Sequence, residues 1–272
     1  MTNTLIIPAS ERRLNNYVSM EFTFKNTLTF AYRSLVKGFK NPESFADVVI
    51  MPVMFTLMFT YLFGGAISGD VTAYLPIIVP GILMQTCVTG SSNAASQLRE
   101  DMDKNTTSRF KSMPIARIAP LAGILTADLV RYAIAGVITF AVGALIGYRP
   151  PAGLFAVLAC ILFMSLIAWC LSWLFAFIAM KVKSVAAASS GAMLIMFPMA
   201  FLSNAFAPTE TMPSAIRFFA EHINPLSKAV SATREILAYG TLSSDFYFAL
   251  LGSLAILAVF IPLTVRAYGK RR

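Results

Sequence analysis

The sequence predicts an all-α integral membrane protein with six transmembrane helices, preceded by an amphipathic helix that lies at the membrane surface. Hydrophobic residues make up 57% of the 272 residues, and charged residues make up only 13%. Several apolar runs reach the roughly 20 residues that a helix needs to cross a bilayer. The basic residues fall between these runs and at the termini, which is typical of charges that set membrane orientation rather than of a nucleic-acid surface.

The first part of the chain, residues 1–44, is expected to contain a polar cytoplasmic tail and one amphipathic helix. Helical spacing from Met20 to Lys40 places apolar and basic side chains on opposite arcs. The apolar arc comprises Phe24, Leu28, Ala31, Tyr32, Leu35 and Phe39, and the basic arc comprises Arg33, Lys37 and Lys40. Such a helix lies along a membrane with its cations towards water, although the pattern also suits a helix packed on a soluble partner.

The first two spans are predicted at residues 45–63 and 74–95. The loop between them contains Asp70 and no basic residue, so it is expected to face the outside. The second span carries many small and polar residues, including Gln85 and Thr89, and this composition favours a helix packed against protein rather than lipid.

A charged segment, Gln97 to Arg117, follows the second span with the sequence QLREDMDKNTTSRFKSMPIAR. It cannot lie in lipid, because it contains five basic and three acidic residues. Its excess of basic residues places it in the cytoplasm.

The third, fourth and fifth spans are predicted at residues 121–146, 154–180 and 185–206. The third span contains Asp128 and Arg131, whose i, i+3 spacing on one helix face allows them to pair. Ionisable residues inside a membrane suggest a functional site, whereas their position near the cytoplasmic end also suits a structural pair that reaches the interface.

The segment from residue 207 to 245 is too polar to cross the membrane and is expected to fold back onto the outside of the bundle. Prolines divide it, and residues 214–222 and 227–238 could each form a short helix. The sixth span is predicted at residues 246–265, before a basic C-terminus. This topology leaves 17 of the 22 Lys and Arg residues in cytoplasmic segments. The predicted membrane domain covers residues 45–268, and residues 269–272 form a basic cytoplasmic tail.

The motifs of several enzyme classes are missing from the sequence. It contains no phosphate-binding GxxxxGK[ST] loop, no GxSxG and no HExxH. The three cysteines lack CxxC spacing, and one histidine is present, so no metal site is expected. The chain is therefore not expected to be an enzyme by itself, and energy for transport would have to come from another chain.

Three separated stretches resemble the permeases of type-2 ABC transporters (the ABC-2 family), especially the branch of daunorubicin-resistance exporters. They are NPESFADVVIMPVMFTLMFTYLFGGAI, SRFKSMPIARIAP and APTETMPSAIRFFAEHINPLSKAVSATREI, in this order. The resemblance covers about residues 20–268. It implies a homodimer, or a heterodimer of close relatives, of six-span subunits joined to two ATP-binding subunits, which would hold ATP and Mg.

The resemblance also implies roles for particular residues. The ATPase-coupling helix, which would dock on the ATP-binding subunit, maps onto Arg109, Phe110, Lys111, Ser112, Met113 and Pro114, with Arg117 following. The implied translocation path includes Met51, Met54, Met58, Gln85 and Thr89, although methionine in a span also serves packing. The external segment would contain re-entrant helices that form either a gate or a structural cap, with Pro208, Pro213, Asn224, Pro225 and Arg234.

The first functional hypothesis is therefore the permease subunit of an ATP-driven exporter for a drug, antibiotic or other amphiphilic molecule. It would sit in the plasma membrane of a bacterium, as a multi-pass protein with both termini in the cytoplasm. The alternatives are a permease for a lipid-linked polysaccharide and a membrane sensor or scaffold that transports nothing.

Overall fold

A computed structural model of the chain describes residues 20–103, 119–206, 209 and 212–270. Within these residues the regular secondary structure consists of helices joined by turns. The helices are α1 (Met20–Lys40), α2 (Pro42–Ser68), α3 (Val71–Asp103), α4 (Ala119–Ile146), α5 (Gly153–Lys181), α6 (Val185–Phe201), α7 (Ser214–Phe218), α8 (Pro225–Tyr239) and α9 (Ser244–Lys270). A π-helical turn, Phe219–Ile223, continues α7.

Five of these helices are long and apolar enough to cross a membrane. They contain the stretches Val48–Ala66, Val71–Asp103, Ala119–Ile146, Gly153–Lys181 and Ser244–Tyr268. The chain is thus a multi-pass membrane protein. The predicted fifth span is shorter than expected, because α6 ends at Phe201 and the chain turns over residues 202–206.

Helix α3 is the centre of the bundle and packs against α2, α4, α5, α6 and α8. In its most apolar window 72% of the residues are buried. Two glycines allow close approach: a Cβ on Gly81 would lie 1.9 Å from the Ala205 carbonyl oxygen, and one on Gly90 would lie 2.7 Å from the Tyr132 ring. The small residues noted in the predicted second span therefore serve close packing of neighbouring elements.

Helix α3 is also longer than the predicted span. Its 33 residues extend about 50 Å, which exceeds the roughly 30 Å of a bilayer core. The charged segment, which we placed after the second span from Gln97 onwards, therefore begins as a continuation of this helix and stays helical to Asp103. An ion pair between Arg99 and Asp103, four residues apart, stabilises this last turn.

Helix α1 packs along α4 through a face that differs from the predicted apolar arc. A Cβ on Gly123 of α4 would lie 2.9 Å from the Thr27 carbonyl oxygen and 3.1 Å from the Ala31 nitrogen. Ala31 is buried in this contact, although we placed it on the arc that faces lipid. Phe24, Leu28, Tyr32 and Phe39 of that arc are exposed, so most of the apolar arc is available to another surface.

The short helices predicted in the external segment are present. Helix α7 with its π-helical turn covers residues 214–223, and α8 covers residues 225–239. Asn224 caps α8 because its side chain accepts a hydrogen bond from the Leu226 backbone nitrogen. Gly240 ends α8 with a left-handed φ of 70°, which glycine adopts without a steric penalty.

Candidate functional site

A cavity of about 270 Å³ lies between α2, α3, α4 and α6. Its walls are mostly apolar, and its polar groups come mainly from α3 and α4. The lining residues are Val48, Met51, Phe55, Phe59, Gln85, Thr86, Thr89, Gly90, Asn93, Gln97, Asp128, Arg131, Tyr132, Ala135, Met193, Met196, Phe197, Phe201 and Phe206. An apolar cavity with a few polar groups is the usual form of a small-molecule site.

Three of the five residues suggested for a translocation path line this cavity, namely Met51, Gln85 and Thr89. Met54 and Met58 do not belong to the lining, and their side chains are 53% and 43% exposed. Helix α2 is apolar on all sides, so its sequence contains no period that would identify the face directed to the cavity.

Phenylalanine side chains form much of the apolar wall. Phe206 stacks on Phe59 with ring centroids 4.9 Å apart and on Phe201 at 5.4 Å. Phe197 in turn stacks on Phe201 at 5.3 Å. Sequence analysis missed these aromatic residues, because Phe206 comes from the turn after α6 and meets α2 only in the folded chain. Aromatic faces of this kind can hold planar or cationic groups.

Asp128 and Arg131 lie at a polar end of the cavity and are in contact. Arg131 Nη1 donates a hydrogen bond to Asp128 Oδ1 at 2.9 Å and another to Gln97 Oε1 at 3.1 Å. Arg131 Nη2 donates to the Ser34 carbonyl oxygen at 3.1 Å. One guanidinium therefore joins α1, α3 and α4. Gly38 makes room for it, because a Cβ there would lie 2.1 Å from Nη2.

Asn224 and Arg234, which were named from the sequence for the predicted external segment, connect α8 to its neighbours. Asn224 Nδ2 donates to the carbonyl oxygens of Met199 and Leu202, at 2.7 and 3.1 Å. Arg234 Nη2 donates to the carbonyl oxygens of Ile77, Asn204 and Ala205. These bonds join α8 to α3 and to the end of α6, beside the Phe206 wall of the cavity.

The three prolines of this external set have different positions. Pro213 precedes α7 as its N-cap residue, and Pro225 is the first residue of α8, a position that proline favours. Pro208 lies outside the described residues.

At the end of the bundle near Asp103, α3 makes contacts that sequence analysis also missed. Arg99 donates to the carbonyl oxygens of Val182 and Lys183, at 3.0 and 2.9 Å, and thereby connects α3 to the turn between α5 and α6. Lys37 of α1 pairs with Asp101 of α3 at 2.8 Å. The residues proposed for the coupling helix, Arg109 to Pro114 and Arg117, lie outside the described residues.

Two acidic groups outside the spans have lowered pKa values. The pKa of Asp70 is lowered because the Thr72 side chain and nearby backbone N–H groups donate to its carboxylate. The pKa of Glu221 is lowered mainly by hydrogen bonds from Arg217, whose Nε lies 2.8 Å from Oε1, and from Thr209. Each carboxylate thus keeps these bonds until the pH falls below its ordinary range.

No group of three or more His, Cys, Asp and Glu side chains that could hold a metal ion occurs within residues 20–103, 119–206, 209 and 212–270. The free cysteines Cys87, Cys160 and Cys170 are buried in the bundle. The site is thus a cavity between membrane helices, with apolar walls and a buried ion pair.

These features are those of a helical membrane transport subunit. The model of the ABC-2 type transporter family matches residues 25–238, and the chain belongs to this family.

Similar proteins are known from two bacterial genera. The chain is 35% identical to the daunorubicin resistance ABC transporter permease protein of Streptomyces coeruleorubidus over 243 residues, which is 89% of this chain and 85% of the relative. It is 21% identical to the probable doxorubicin resistance ABC transporter permease protein of Mycobacterium tuberculosis over 263 residues, or 95% of this chain and 92% of the relative.

Proposed function

We propose that the chain is the permease subunit of an ATP-driven exporter for a drug, antibiotic or other amphiphilic molecule. The observation that carries this proposal is the apolar, aromatic cavity between α2, α3, α4 and α6 in a chain of the ABC-2 family. The names of the two relatives support it, since one denotes resistance to daunorubicin and the other probable resistance to doxorubicin. We expect the protein to sit in the plasma membrane of a bacterium.

The cavity favours this function over export of a lipid-linked polysaccharide. A chain of sugars presents many hydroxyl groups, each of which needs a hydrogen-bond partner when it leaves water. Most of the cavity surface is apolar, because phenylalanine and methionine side chains form much of its wall, and it leaves little polar surface to bond with sugar hydroxyls. Its volume of about 270 Å³ also suits a compact molecule better than several sugar rings.

We propose six spans with both termini in the cytoplasm, the sixth crossing being the segment that contains α6. This segment runs beside α3 from the Arg99 contact at Val182 to residue 206, where Tyr74 Oη donates to the Phe206 carbonyl oxygen at 2.7 Å. Tyr74 and Arg99 are 25 residues apart on α3, or about 37 Å. Because residues 182–206 contact α3 at both Arg99 and Tyr74, this segment would pass through the full thickness of a bilayer core.

We propose that α1 lies along the cytoplasmic surface of the membrane, within an N-terminal region of residues 1–44. Its exposed Phe24, Leu28 and Tyr32 would contact lipid, and its packing on α4 would hold it beside the bundle. Residues 45–268 would form the membrane domain, and residues 269–272 a basic tail.

We propose that a second permease, identical or closely related, completes the membrane part. Only 22% of the apolar window of α2 and 17% of that of α9 is buried within this chain. These two helices therefore leave apolar surface for lipid and for a partner subunit.

We propose that ATP and Mg bind to a separate ATP-binding subunit, which contacts Arg109 to Pro114 and Arg117. Helix α3 ends at Asp103, shortly before this segment. A displacement there would pass along α3 to Gln97, which contacts Arg131 at the polar end of the cavity. The external residues Pro208, Pro213, Asn224, Pro225 and Arg234 would close the outer end of the path.

Co-expression of the chain with a candidate ATP-binding subunit tests the proposal. We expect the two to co-purify, and we expect Arg109→Ala and Phe110→Ala to reduce ATPase activity in the complex. Arg149→Ala is a matched control, because Arg149 is exposed beyond the other end of α4. If no complex forms, and if neither substitution changes the ATPase activity, the result would favour a membrane sensor or scaffold.

A further inference from the structure

We infer that Arg99 is a positioning residue that holds α6 on α3, so that these two helices keep their register and move as one unit. Arg99 lies one turn before the end of α3, and only 9% of its surface is exposed. The inference rests on the proposed function, because it states how a displacement at the cytoplasmic end of α3 would reach α6. It concerns the contact between the two helices and requires no particular molecule in the cavity.

The guanidinium of Arg99 is bonded to the turn that precedes α6. Nη1 donates a hydrogen bond to the Val182 carbonyl oxygen at 3.0 Å, and Nη2 donates to the Lys183 carbonyl oxygen at 2.9 Å. The next residue, Ser184, is the N-cap of α6, because its side chain accepts a hydrogen bond from the Ala187 nitrogen. Two bonds from one planar, charged group fix direction as well as distance. Arg99 therefore determines where the first turn of α6 lies against α3.

Two further contacts continue from Arg99 along the two helices. Ser96 Oγ lies 2.7 Å from Ser189 Oγ, and Ser92 Oγ donates to Met196 Sδ at 3.4 Å. Because α3 and α6 are antiparallel, these contacts follow one another from the end of α3 towards the cavity, where Met196 belongs to the lining. We call the three contacts together the α3–α6 seam.

Apolar packing alone gives α6 little to fix its register. Its buried residues are Ala188, Ala192, Met196 and Ala200, which lie on one face. Alanine allows close approach of two helices but has too small a side chain to interlock with a neighbour. Between helices in lipid there is no hydrophobic driving force, so hydrogen bonds help to set their relative position. Asn224 bonds to the outer end of α6, and Arg99 supplies the corresponding contact at the other end.

The register of α6 decides which of its side chains face the cavity. Helix α6 packs mainly on α3, and its cavity-lining residues Met193, Phe197 and Phe201 are 46–51% exposed. A displacement at the end of α3 would pass through Arg99 to the first turn of α6, so these two walls would move together. This connection is separate from the one through Gln97 to α4.

Disulfide formation between cysteines introduced along the seam tests the inference in the full chain in nanodiscs. Ser96→Cys with Ser189→Cys reports the register of the structure. Ser96→Cys with Val185→Cys or with Met193→Cys reports a shift of α6 by about one turn in either direction. We expect the first pair to link fastest. Arg99→Met keeps the length of the side chain without its donors, and it should lower the ratio of in-register to shifted links by about 10-fold, the effect of losing about one hydrogen bond from a charged group.

Asp103→Asn is the matched control. Asp103 pairs with Arg99, so this variant removes an interaction of the same side chain but leaves both bonds to the turn before α6, and the ratio should stay the same. Mixed chains that carry one new cysteine each account for links between chains and to the buried native cysteines. If Arg99→Met fails to fold, Arg99→Lys keeps the charge but lacks the planar fork, and it should lower the ratio by a smaller factor.

A second measurement uses the linked pair in the complex with the ATP-binding subunit. If α3 and α6 move as one unit, a disulfide between positions 96 and 189 does not restrain the cycle. We therefore expect the ATPase activity of the oxidised complex to equal that of the reduced complex.

Two results would overturn the inference. An unchanged ratio of links in the Arg99 variants, even with a lower Tm, would mean that Arg99 only stabilises the fold. Loss of ATPase activity on oxidation, restored by reduction, would mean that α3 and α6 have to separate during the cycle. Failure to form the complex would count against the proposed function, whereas the ratio of links, measured on the chain alone, would still decide this inference.

Discussion

Replacement of Asn224 by alanine is expected to loosen the contact between α8 and the end of α6 and to lower the stability of the chain by about 3 kcal/mol. Asn224 is 2% exposed, and its side chain makes three hydrogen bonds. The bond to the Leu226 nitrogen is a helix cap, worth about 1 kcal/mol. The two bonds to the Met199 and Leu202 carbonyl oxygens contribute about 1 kcal/mol each.

This loss is measurable as a change in the midpoint of thermal unfolding of the purified protein in detergent. For chains of this size, 1 kcal/mol corresponds to a shift of about 2–4 °C. We therefore expect Asn224→Ala to lower Tm by about 6–12 °C. Ser214→Ala, at an exposed position in the same external segment, is the control and should leave Tm unchanged.

A serine at position 224 separates the cap from the bonds to α6. Serine is a good N-cap residue, but its short side chain cannot reach the two carbonyl oxygens. Asn224→Ser should therefore lose about 2 kcal/mol, or about 4–8 °C. A wild-type Tm for Asn224→Ser would show that the bonds to α6 add nothing, and a wild-type Tm for Asn224→Ala would refute the whole argument.

Two glycine substitutions test the close contacts of α3 and α1. Gly81→Ala should destabilise the chain by about 1–3 kcal/mol, because its Cβ would lie 1.9 Å from the Ala205 carbonyl oxygen; an unchanged Tm would contradict this contact. Gly38→Ala should displace the Arg131 guanidinium, 2.1 Å from the new Cβ, and weaken its bond to the Ser34 carbonyl oxygen, so that modestly faster proteolysis within α1 would report a looser contact with α4. Gly65→Ala is the control for both, because a Cβ there would meet no atom of another element within 4 Å among the described residues, and it should be neutral or slightly stabilising.

The ion pair in α4 shows how far sequence reasoning can reach. The i, i+3 spacing of Asp128 and Arg131 was enough to suggest that they could pair, because residues three apart share a helix face. The sequence did not indicate that Gln97 and the Ser34 carbonyl oxygen complete the surroundings of Arg131, since these groups lie on other helices. Such contacts depend on how α1 and α3 pack on α4.

The methionines of α2 show what sequence reasoning could not predict. Met51, Met54 and Met58 are equivalent in sequence, since α2 is apolar on every side, yet only Met51 lines the cavity. A helix with no polar face carries no period from which its orientation could be derived. The sequence of α1 does have a polar face, so the orientation of its apolar arc could be predicted. Ala31 is the exception, because it is buried against α4.

The sequence by itself determined that this protein is helical, crosses a membrane several times and belongs with permeases of the ABC-2 family. The helical membrane class follows from apolar runs long enough for a bilayer and from the placement of basic residues, both of which are local properties. The family was indicated by the three separated stretches that resemble its permeases. Only the tertiary structure decided which faces surround a cavity and that Phe206 closes its wall. These features join residues far apart in the chain, and between apolar helices the packing of side chains rather than a hydrophobic pattern sets their positions.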